Sequence, residues 1–241
     1  MPEATFDPIA ELYDRFADLS HSRYREWLAG VLPAGGGRAV DLGCGAGRFL
    51  DLLADRYDDV LAVDAAPRMI ELARARHADP AIRYRVDDLW EVTPDRDGAF
   101  DLVFSVNTLH HLGPDPQRYL PHVRRLVRPG GRLVVVDCVR HTPEWATNAV
   151  AYRVYRASRT VAGAVRAGVS GRSVADAMAS YRLRRHPRWQ SLAAEAPALT
   201  RAEFHREYAA AFPGASFTDT LDASVCAVTA PVPAEAGQPA G

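Results

Sequence analysis

The sequence of 241 residues contains no lysine, and its 29 basic residues are all arginine. This absence excludes chemistry that needs a lysine amine: a pyridoxal Schiff base, a lysine nucleophile and a phosphate-binding loop that ends in Gly-Lys-Ser/Thr. The abundance of Ala, Gly, Pro and Arg indicates a GC-rich genome as the origin of the bias.

Cysteine and long apolar runs are also scarce. Three cysteines provide neither a disulfide framework nor a CxxC metal pair, so we expect no metal site. No apolar run reaches the ~20 residues that span a bilayer, and residues 1–20 carry acids where a signal peptide has a basic and an apolar region. The sequence therefore predicts a cytoplasmic protein without a membrane span.

The net charge of -1 conceals an uneven distribution. Residues 141–190 hold nine arginines against Glu144 and Asp176, a net charge of +7. Residues 1–140 and residues 191–241 each carry a net charge of -4. The middle segment is therefore expected to meet a different kind of ligand or partner from the rest of the chain.

Apolar strands alternate with helices over the first 140 residues. Two amphipathic helices come first, the earlier one with Asp7 as its expected N-cap. Strands are then predicted at 39–42, 60–63, 82–86, 100–106 and 133–136. Pro121 is awkward in the helix after the fourth strand, which either starts near Leu120 or bends there. Strands without strict polar alternation, separated by helices, predict an α/β fold in which helices cover both faces of a parallel sheet.

The alternation stops after Asp137, which divides the chain. We expect N-terminal helices over 1–34, an α/β core over 35–140 and a helical insertion over 141–190. Residues 191–230 should add a helix, capped by Thr200, and a final antiparallel strand pair, and residues 231–241 a disordered tail.

A glycine loop follows the first predicted strand, with glycines at 43, 45 and 47. Glycines allow positive φ angles and let a ligand lie against bare backbone. The spacing is not that of the dinucleotide motif, G-x-G-x-x-G, because Arg48 stands where its third glycine belongs. Asp41, two residues before the loop, would repel a pyrophosphate and would favour a cationic or zwitterionic ligand.

Acids also end the next two strands. Asp64 can accept hydrogen bonds from both hydroxyls of a ribose, and Asp88 can accept one from an adenine amino group. Met69 begins the following helix and can pack on an adenine face. Singly, these residues could be a helix cap, a turn acid and a core side chain; three acids at successive strand ends around one glycine loop favour a binding site.

These motifs, in this order, resemble class I S-adenosylmethionine (SAM)-dependent methyltransferases, above all the ubiquinone/menaquinone-biosynthesis and natural-product branch. The resemblance rests on Asp41-Leu-Gly-Cys-Gly-Ala-Gly47, Val63-Asp64, Asp88, the segment from Phe100 to Leu112 and the segment from Leu126 to Leu133. It implies a Rossmann-like seven-stranded sheet of order 3-2-1-4-5-7-6, mostly parallel, with a helical cap inserted after strand five. It also implies SAM as the cofactor, with these binding residues: Tyr13 (as a lid), Asp41, Gly43, Cys44, Gly45, Gly47, Asp64, Ala65, Met69, Asp88, Leu89 and Asn107.

The same resemblance implies where the chemistry takes place. In similar enzymes a histidine matching His111 lies near the acceptor and can act as a base, with an acid matching Asp137 beside it; a structural loop histidine is the alternative. We expect the acceptor to contact Tyr13, His110, His111, Tyr152, Tyr155, Tyr181 and Arg185. The arginines near aromatic residues favour an acceptor with a carboxylate or phosphate, although a solvated helix face would look the same.

The expected function is methyl transfer to a small-molecule acceptor of biosynthetic or secondary metabolism, by a monomer or homodimer. An RNA- or DNA-modifying methyltransferase is one alternative, disfavoured because strand four ends Ser105-Val-Asn107, without an Asn/Asp-Pro-Pro-aromatic motif, and because no Pro-Cys dipeptide exists. A SAM-binding protein repurposed for another reaction, such as a cyclisation, is the other.

Overall fold

Seven strands of the described residues form one sheet. The computed structural model describes residues 6–21, 24–140, 148–195, 199–222 and 224–234. The strands are Gly36–Leu42 (β1), Tyr57–Asp64 (β2), Ile82–Val86 (β3), Phe100–Val106 (β4), Val127–Cys138 (β5), Ser216–Thr218 (β6) and Val225–Pro231 (β7). Their order is β3-β2-β1-β4-β5-β7-β6, and only β7 pairs antiparallel with its two neighbours. The predicted order is confirmed.

Helices surround this sheet and extend beyond it. They are Ala10–His21 (α1), Tyr24–Val31 (α2), Leu50–Ala54 (α3), Pro67–Arg76 (α4), Pro94–Asp97 (α5), Pro116–Leu126 (α6), Ala149–Gly171 (α7), Val174–Arg185 (α8), Pro187–Glu195 (α9) and Arg201–Ala211 (α10). A 3₁₀ turn at Asp7–Ile9 leads into α1. Within the described part of the chain, no helix combines the length and the apolar character that crossing a membrane requires.

The sheet has two apolar faces, which explains the helices on both sides. Val40 and Leu42 of β1 pack in one buried cluster with α6 and α10, and Ala39 of the same strand packs in another with α2 and α3. In β5 the residues from Leu133 to Val136 are fully buried. Alternate residues of one strand thus enter different layers, as expected for a sheet covered on both faces.

Two local features differ from the sequence predictions. Asp7 does not cap its own helix; its carboxylate accepts from the backbone N–H of Arg68 (3.0 Å) and so serves the first turn of α4. Helix α6 runs through Pro121 from Pro116. Pro121 and Gln117 are both exposed, so water can satisfy the Gln117 carbonyl that a proline four residues later leaves without a donor.

The chain ends also differ from the prediction where they can be compared. Val232 is buried and exchanges backbone hydrogen bonds with Gly130 and Gly131, so the fold continues past the expected start of the tail at residue 231. The predicted helix cap at Thr200 is present as a reciprocal capping box with Glu203. Parts of the predicted N-terminal helices, cap and tail, namely residues 1–5, 22–23, 141–147 and 235–241, lie outside the described residues.

The cap packs on the first helix of the chain. Leu183 of α8 and Leu192 of α9 form a buried cluster with Ile9 and Phe16. Arg15 of α1 pairs with Asp176 of α8, with 2.6 Å between Nη2 and Oδ1. The N-terminal helix therefore lies between the cap and the sheet edge where the glycine loop emerges.

Candidate functional site: two cavities at the carboxyl edge of the sheet

The glycine loop turns sharply at the end of β1. Gly43 and Cys44 both donate their backbone N–H to the Val63 carbonyl, at 2.9 and 3.0 Å. Gly43 has a φ of +76°, and an added Cβ would lie 2.1 Å from Thr108 Cγ2. Gly45 has a φ of +52°, but open space surrounds the position of its Cβ. The loop therefore needs glycine at 43 for packing and conformation, and at 45 for conformation and backbone access.

Replacing Gly43 by alanine should destabilise the fold more than replacing Gly45. Both changes cost ~1–2 kcal/mol for a left-handed residue with a Cβ. Gly43→Ala adds overlap with Thr108, which costs a further ~1–3 kcal/mol. Urea denaturation measures the free energy of unfolding of both variants; equal losses would contradict the close contact with Thr108.

A cavity of about 380 Å³ opens beside this loop. Of the residues predicted to bind the cofactor, those that line it are Tyr13, Asp41, Gly43, Cys44, Gly45, Asp64, Ala65, Met69, Asp88, Leu89 and Asn107. Gly47 does not line it: a Cβ at Gly47 would press on Leu50 and Ala73, so this glycine lets α3 and α4 approach the loop. Sequence reasoning missed twelve further lining residues: Phe6, Asp14, Ala17, Ala46, Arg48, Phe49, Trp90, Val106, Thr108, Leu112, Gly113 and Leu192.

Asp64 lines this cavity at the end of β2. Its carboxylate accepts from the backbone N–H of Gly45 (2.9 Å) and of Ala66 (2.9 Å), which leaves further lone pairs on both oxygens. Burial raises the pKa of Asp64 to about 6, although these two hydrogen bonds oppose the shift. Burial and the nearby Asp64 raise the pKa of Asp41 well above its usual range. An anion beside these two carboxyls is therefore disfavoured, and a bound cation would stabilise their ionised forms.

The other lining residues have simpler local roles. Asp88 accepts from the backbone N–H of Trp90 (3.0 Å) and caps the short 3₁₀ helix Leu89–Glu91. Burial raises the pKa of the Cys44 thiol well above its usual range, in keeping with a packing residue. Asn107 adopts a φ of +54° and donates its backbone N–H to the Val136 carbonyl (2.7 Å), so the chain turns at the end of β4.

Ion pairs hold α1 over the cavity. The carboxylate of Asp14 contacts Arg48 (2.7 Å) and Arg76 (3.0 Å), and Asp18 pairs with Arg48 as well. Arg76 also donates to the Ala46 carbonyl of the glycine loop (2.9 Å). The helix that carries Tyr13 is therefore tied to the loop itself, a geometry compatible with the expected lid.

A second cavity, of about 700 Å³, lies on the cap side. The two cavities share five lining residues: Phe6, Tyr13, Asn107, His110 and His111. Tyr13 packs against Phe6 and Trp189, with ring centroids 5.1 and 5.6 Å apart. The N-terminal helix and the loop after β4 thus form a thin wall between the cavities.

His110, not His111, pairs with Asp137. The Asp137 carboxylate accepts from the backbone N–H of His110 (3.0 Å) and lies 2.6 Å from its Nδ1. The expectation that Asp137 stands beside His111 is thus corrected: Asp137, at the end of β5, holds the His110 ring, which in turn contacts the His111 ring at 4.1 Å between centroids. A carboxylate at Nδ1 favours the tautomer that keeps a lone pair on Nε2.

His111 is a neutral side chain at the shared wall. Its accessible surface borders the cavities, and Phe6 contacts its ring edge-on at 5.5 Å between centroids. His111 is exposed by accessible surface, and the crowding of its ring by the protein atoms around it, with repulsion from His110, lowers its pKa to about 3. The ring can accept a hydrogen bond at neutral pH but is a weak base.

One further cluster at this wall contains metal-ligand residue types. His110, Asp137 and Cys138 place ligand atoms within 4.8 Å of one another. Asp137 already bonds to His110 and to the backbone N–H of Cys138, and the Cys138 thiol donates to Asn107 Oδ1 (3.3 Å). We interpret the cluster as a hydrogen-bond network, and the absence of a metal stays a prediction.

The cap reaches the second cavity through residues other than those predicted. Tyr152, Tyr155, Tyr181 and Arg185 line neither cavity, and all except the half-buried Tyr155 are exposed. The cap residues that do line the second cavity are Arg159, Ala162, Gly163, Arg166, Ala167, Ser170, Arg184 and Trp189. Positions 159, 163, 166 and 170 follow helical spacing, so a helical-face analysis of α7 could have found them.

Comparison with known proteins agrees with this architecture. Residues 40–135 match the model of the methyltransferase domain family. A ubiquinone biosynthesis O-methyltransferase from Xanthomonas oryzae pv. oryzae is 30% identical over 120 residues, 49% of this chain and 49% of that protein. An uncharacterized 37.1 kDa protein in transposon TN4556 of Streptomyces fradiae is 33% identical over 173 residues, 67% of this chain and 48% of that protein. The chain thus spans about half the length of the curated relatives that it matches.

The fold also matches known structures. A DhpI–SAH complex superposes with a TM-score of 0.59 at 20% identity, covering 95% of this chain and 94% of that one. The sheet order, with a glycine loop and acids at the ends of β1 and β2, is that of the Rossmann-like methyltransferases. Residues 40–135 thus resemble a methyltransferase domain, and the chain shares the fold of the solved DhpI–SAH complex.

Proposed function

We propose that this protein transfers a methyl group from SAM to a small-molecule acceptor. The single observation that carries the proposal is the wall shared by two cavities, one built on the glycine loop and one on the cap. A donor in the first and an acceptor in the second would meet at Asn107, His110 and His111. In-line transfer needs the two reacting atoms aligned and water excluded, and two adjoining cavities can align a donor with an acceptor.

The first cavity fits SAM in size, access and charge. Its volume falls within the range of small-ligand sites. The open position at Gly45 gives access to the backbone, and the unused lone pairs of Asp64 suit ribose hydroxyls. Asp41 and Asp64 favour a cationic ligand over a pyrophosphate. When bound, SAM supplies a methyl group already activated by the sulfonium; the remaining tasks belong to the protein.

His110 is suited to hold the proton of an acceptor that arrives protonated. Asp137 fixes its ring, and Nε2, the nitrogen not bonded to Asp137, is available as an acceptor. A hydroxyl acceptor needs such a base, whereas an acceptor that is already anionic does not. The proposal therefore favours a hydroxyl nucleophile, with His110 as the base and Asp137 as its positioning residue.

SAM binding should weaken as the pH falls through about 6. Asp64 has a raised pKa, so its carboxylate is largely ionised above pH 6 and protonated below it. The protonated acid loses acceptor strength toward ribose hydroxyls, and proton uptake therefore competes with the ligand. Calorimetry at pH 5 and at pH 7.5 with S-adenosylhomocysteine (SAH), which does not titrate between these values, measures the change in affinity. In Asp64→Asn the affinity should depend less on pH. Equal affinity at both pH values would contradict the role of Asp64.

The proposal is tested by two measurements on the full chain. Calorimetric titration with SAH should show one site per chain. Incubation with SAM and a panel of hydroxylated aromatic and aliphatic acids should then form SAH together with a methylated product. SAH formation without a methylated product would favour a repurposed reaction, and no SAH binding would overturn the proposal.

A cytoplasmic location, a monomer or homodimer, and the absence of nucleic-acid partners stay predictions. The relation to a ubiquinone biosynthesis O-methyltransferase supports a small-molecule acceptor.

A further inference from the structure

Three arginines converge on the cap side of the second cavity. Arg159 and Arg166 come from α7, two helical turns apart, and Arg184 comes from α8. Among the described residues that line this cavity, Asp222 alone is acidic, and it lies 3.4 Å from Arg166. The cavity wall therefore carries an excess of two positive charges.

Packing holds the Arg184 guanidinium in place, but one of its N–H donors lacks a hydrogen-bond acceptor among the described residues. Its guanidinium lies over the Phe16 ring, with Cζ 5.1 Å from the centroid. The guanidinium also lies close to the α7 backbone, since a Cβ at residue 163 would lie 2.6 Å from Arg184 Nε. Within the described part of the chain, Arg184 Nε is buried without a hydrogen-bond partner. A buried donor of this kind costs ~1–3 kcal/mol unless an acceptor reaches it.

The electrostatics of the cluster favour an anion. Burial, with repulsion from Arg159 and Arg166, lowers the pKa of Arg184. Arg159 and Arg166 are exposed to solvent, whereas Arg184 is partly desolvated, so their like charges are unfavourable chiefly at Arg184. An oxyanion among the three would reduce this repulsion and offer an acceptor to the unsatisfied donor.

We propose that Arg159, Arg166 and Arg184 form an oxyanion subsite that binds the carboxylate or phosphate of the methyl acceptor. Guanidinium groups match both groups through paired N–H donors. The identity of the occupant as an acceptor rests on the proposed function; the anion site itself does not.

The subsite assigns a substrate class and an orientation. Phe16, Trp189 and Val225 provide apolar surface in the same cavity, and His110 lies at its other wall. An acceptor that fits is an aromatic or otherwise apolar acid, anchored by its charge at the cap and presenting its nucleophile toward His110. This set replaces Arg185, which is exposed and lines neither cavity.

Calorimetry on the full chain tests the subsite with three probes: benzoate, phenyl phosphate and the neutral benzyl alcohol. We expect at least one anion to bind about ten- to a hundredfold more tightly than benzyl alcohol, and Arg184→Met to remove that difference. Arg166→Met, at an exposed side chain, should weaken anion binding without disturbing the fold. Arg182→Met is the matched control on α8, exposed and outside both cavities, and should bind as the wild type does.

Every outcome bears on the proposal. Preference for phenyl phosphate assigns a phosphate acceptor, and preference for benzoate a carboxylate. Equal binding of all three probes, no anion binding at all, or equal losses in Arg182→Met and Arg184→Met would overturn the subsite. Each titration is repeated with and without SAH: failure of SAH to bind counts against the proposed function, while anion binding that depends on Arg184 would still establish the subsite.

Discussion

Replacing Asp64 by alanine should weaken the binding of SAH by about ten- to a hundredfold, because hydrogen bonds to a charged acceptor contribute ~1.5–3 kcal/mol. The carboxylate lies at the end of β2, lines the loop-side cavity and already orients the backbone at Gly45 and Ala66. Loss of the carboxylate removes the expected acceptor for the ribose hydroxyls, and it also removes two hydrogen bonds that hold the backbone of the glycine loop and of the start of α4. Asp58→Ala is the matched control, an exposed acid on the same strand that lines neither cavity.

Stability separates a binding role of Asp64 from a structural one. Burial raises the pKa of Asp64 above that of an unfolded chain, so at pH 7.5 the ionised carboxylate disfavours the folded state. Asp64→Asn removes the charge that disfavours folding but keeps only one of the two oxygens that accept from Gly45 and Ala66. These two effects oppose each other, so the urea midpoint should change little while SAH binding weakens. A fall in stability together with unchanged SAH affinity would contradict the assignment.

Replacing His110 by asparagine should lower kcat for a hydroxyl acceptor by about 10²- to 10⁴-fold, the usual contribution of a positioned base. Affinity for SAH should change little, because His110 borders the cofactor cavity without an expected bond to the cofactor. Asp137→Asn should lower kcat as well and alter its pH profile, because it disturbs the tautomer and orientation of the His110 ring.

The neighbouring histidine supplies the comparison. His111→Asn should have the smaller effect on kcat, because Asp137 positions the His110 ring and the pKa of His111 is lowered. His205→Asn, at an α10 position outside both cavities, controls for the loss of an imidazole. A larger kcat loss in His111→Asn than in His110→Asn would assign the base to His111. It would contradict the claim that pairing with Asp137 makes His110 the base.

The cofactor side of the site could be predicted from the sequence because it depends on short local patterns. A strand, a glycine loop and an acid at the next strand end are close in sequence, and parallel strands bring their carboxyl ends to one edge. Asp41, Asp64 and Asp88 accordingly line one cavity. Gly47 was assigned to the ligand because spacing alone cannot separate a glycine that faces a cavity from one that lets helices pack.

The acceptor side could not be predicted in the same way because it depends on how distant elements pack. Residue type placed Tyr152, Tyr181 and Arg185 at the substrate, but the arginines of α7 and α8 that line the second cavity are Arg159, Arg166 and Arg184. The choice between His110 and His111 depends on the side to which each ring turns. That is set by hydrogen bonds to Asp137, 27 residues later in the chain.

A crystal structure of the chain grown with SAH tests the central claim most directly. The account predicts that SAH occupies the cavity beside the glycine loop, with its ribose hydroxyls on Asp64, its adenine near Asp88 and Met69, and its sulfur toward the wall formed by Asn107, His110 and His111. SAH bound outside this cavity, or bound there without contact to Asp64, would contradict it.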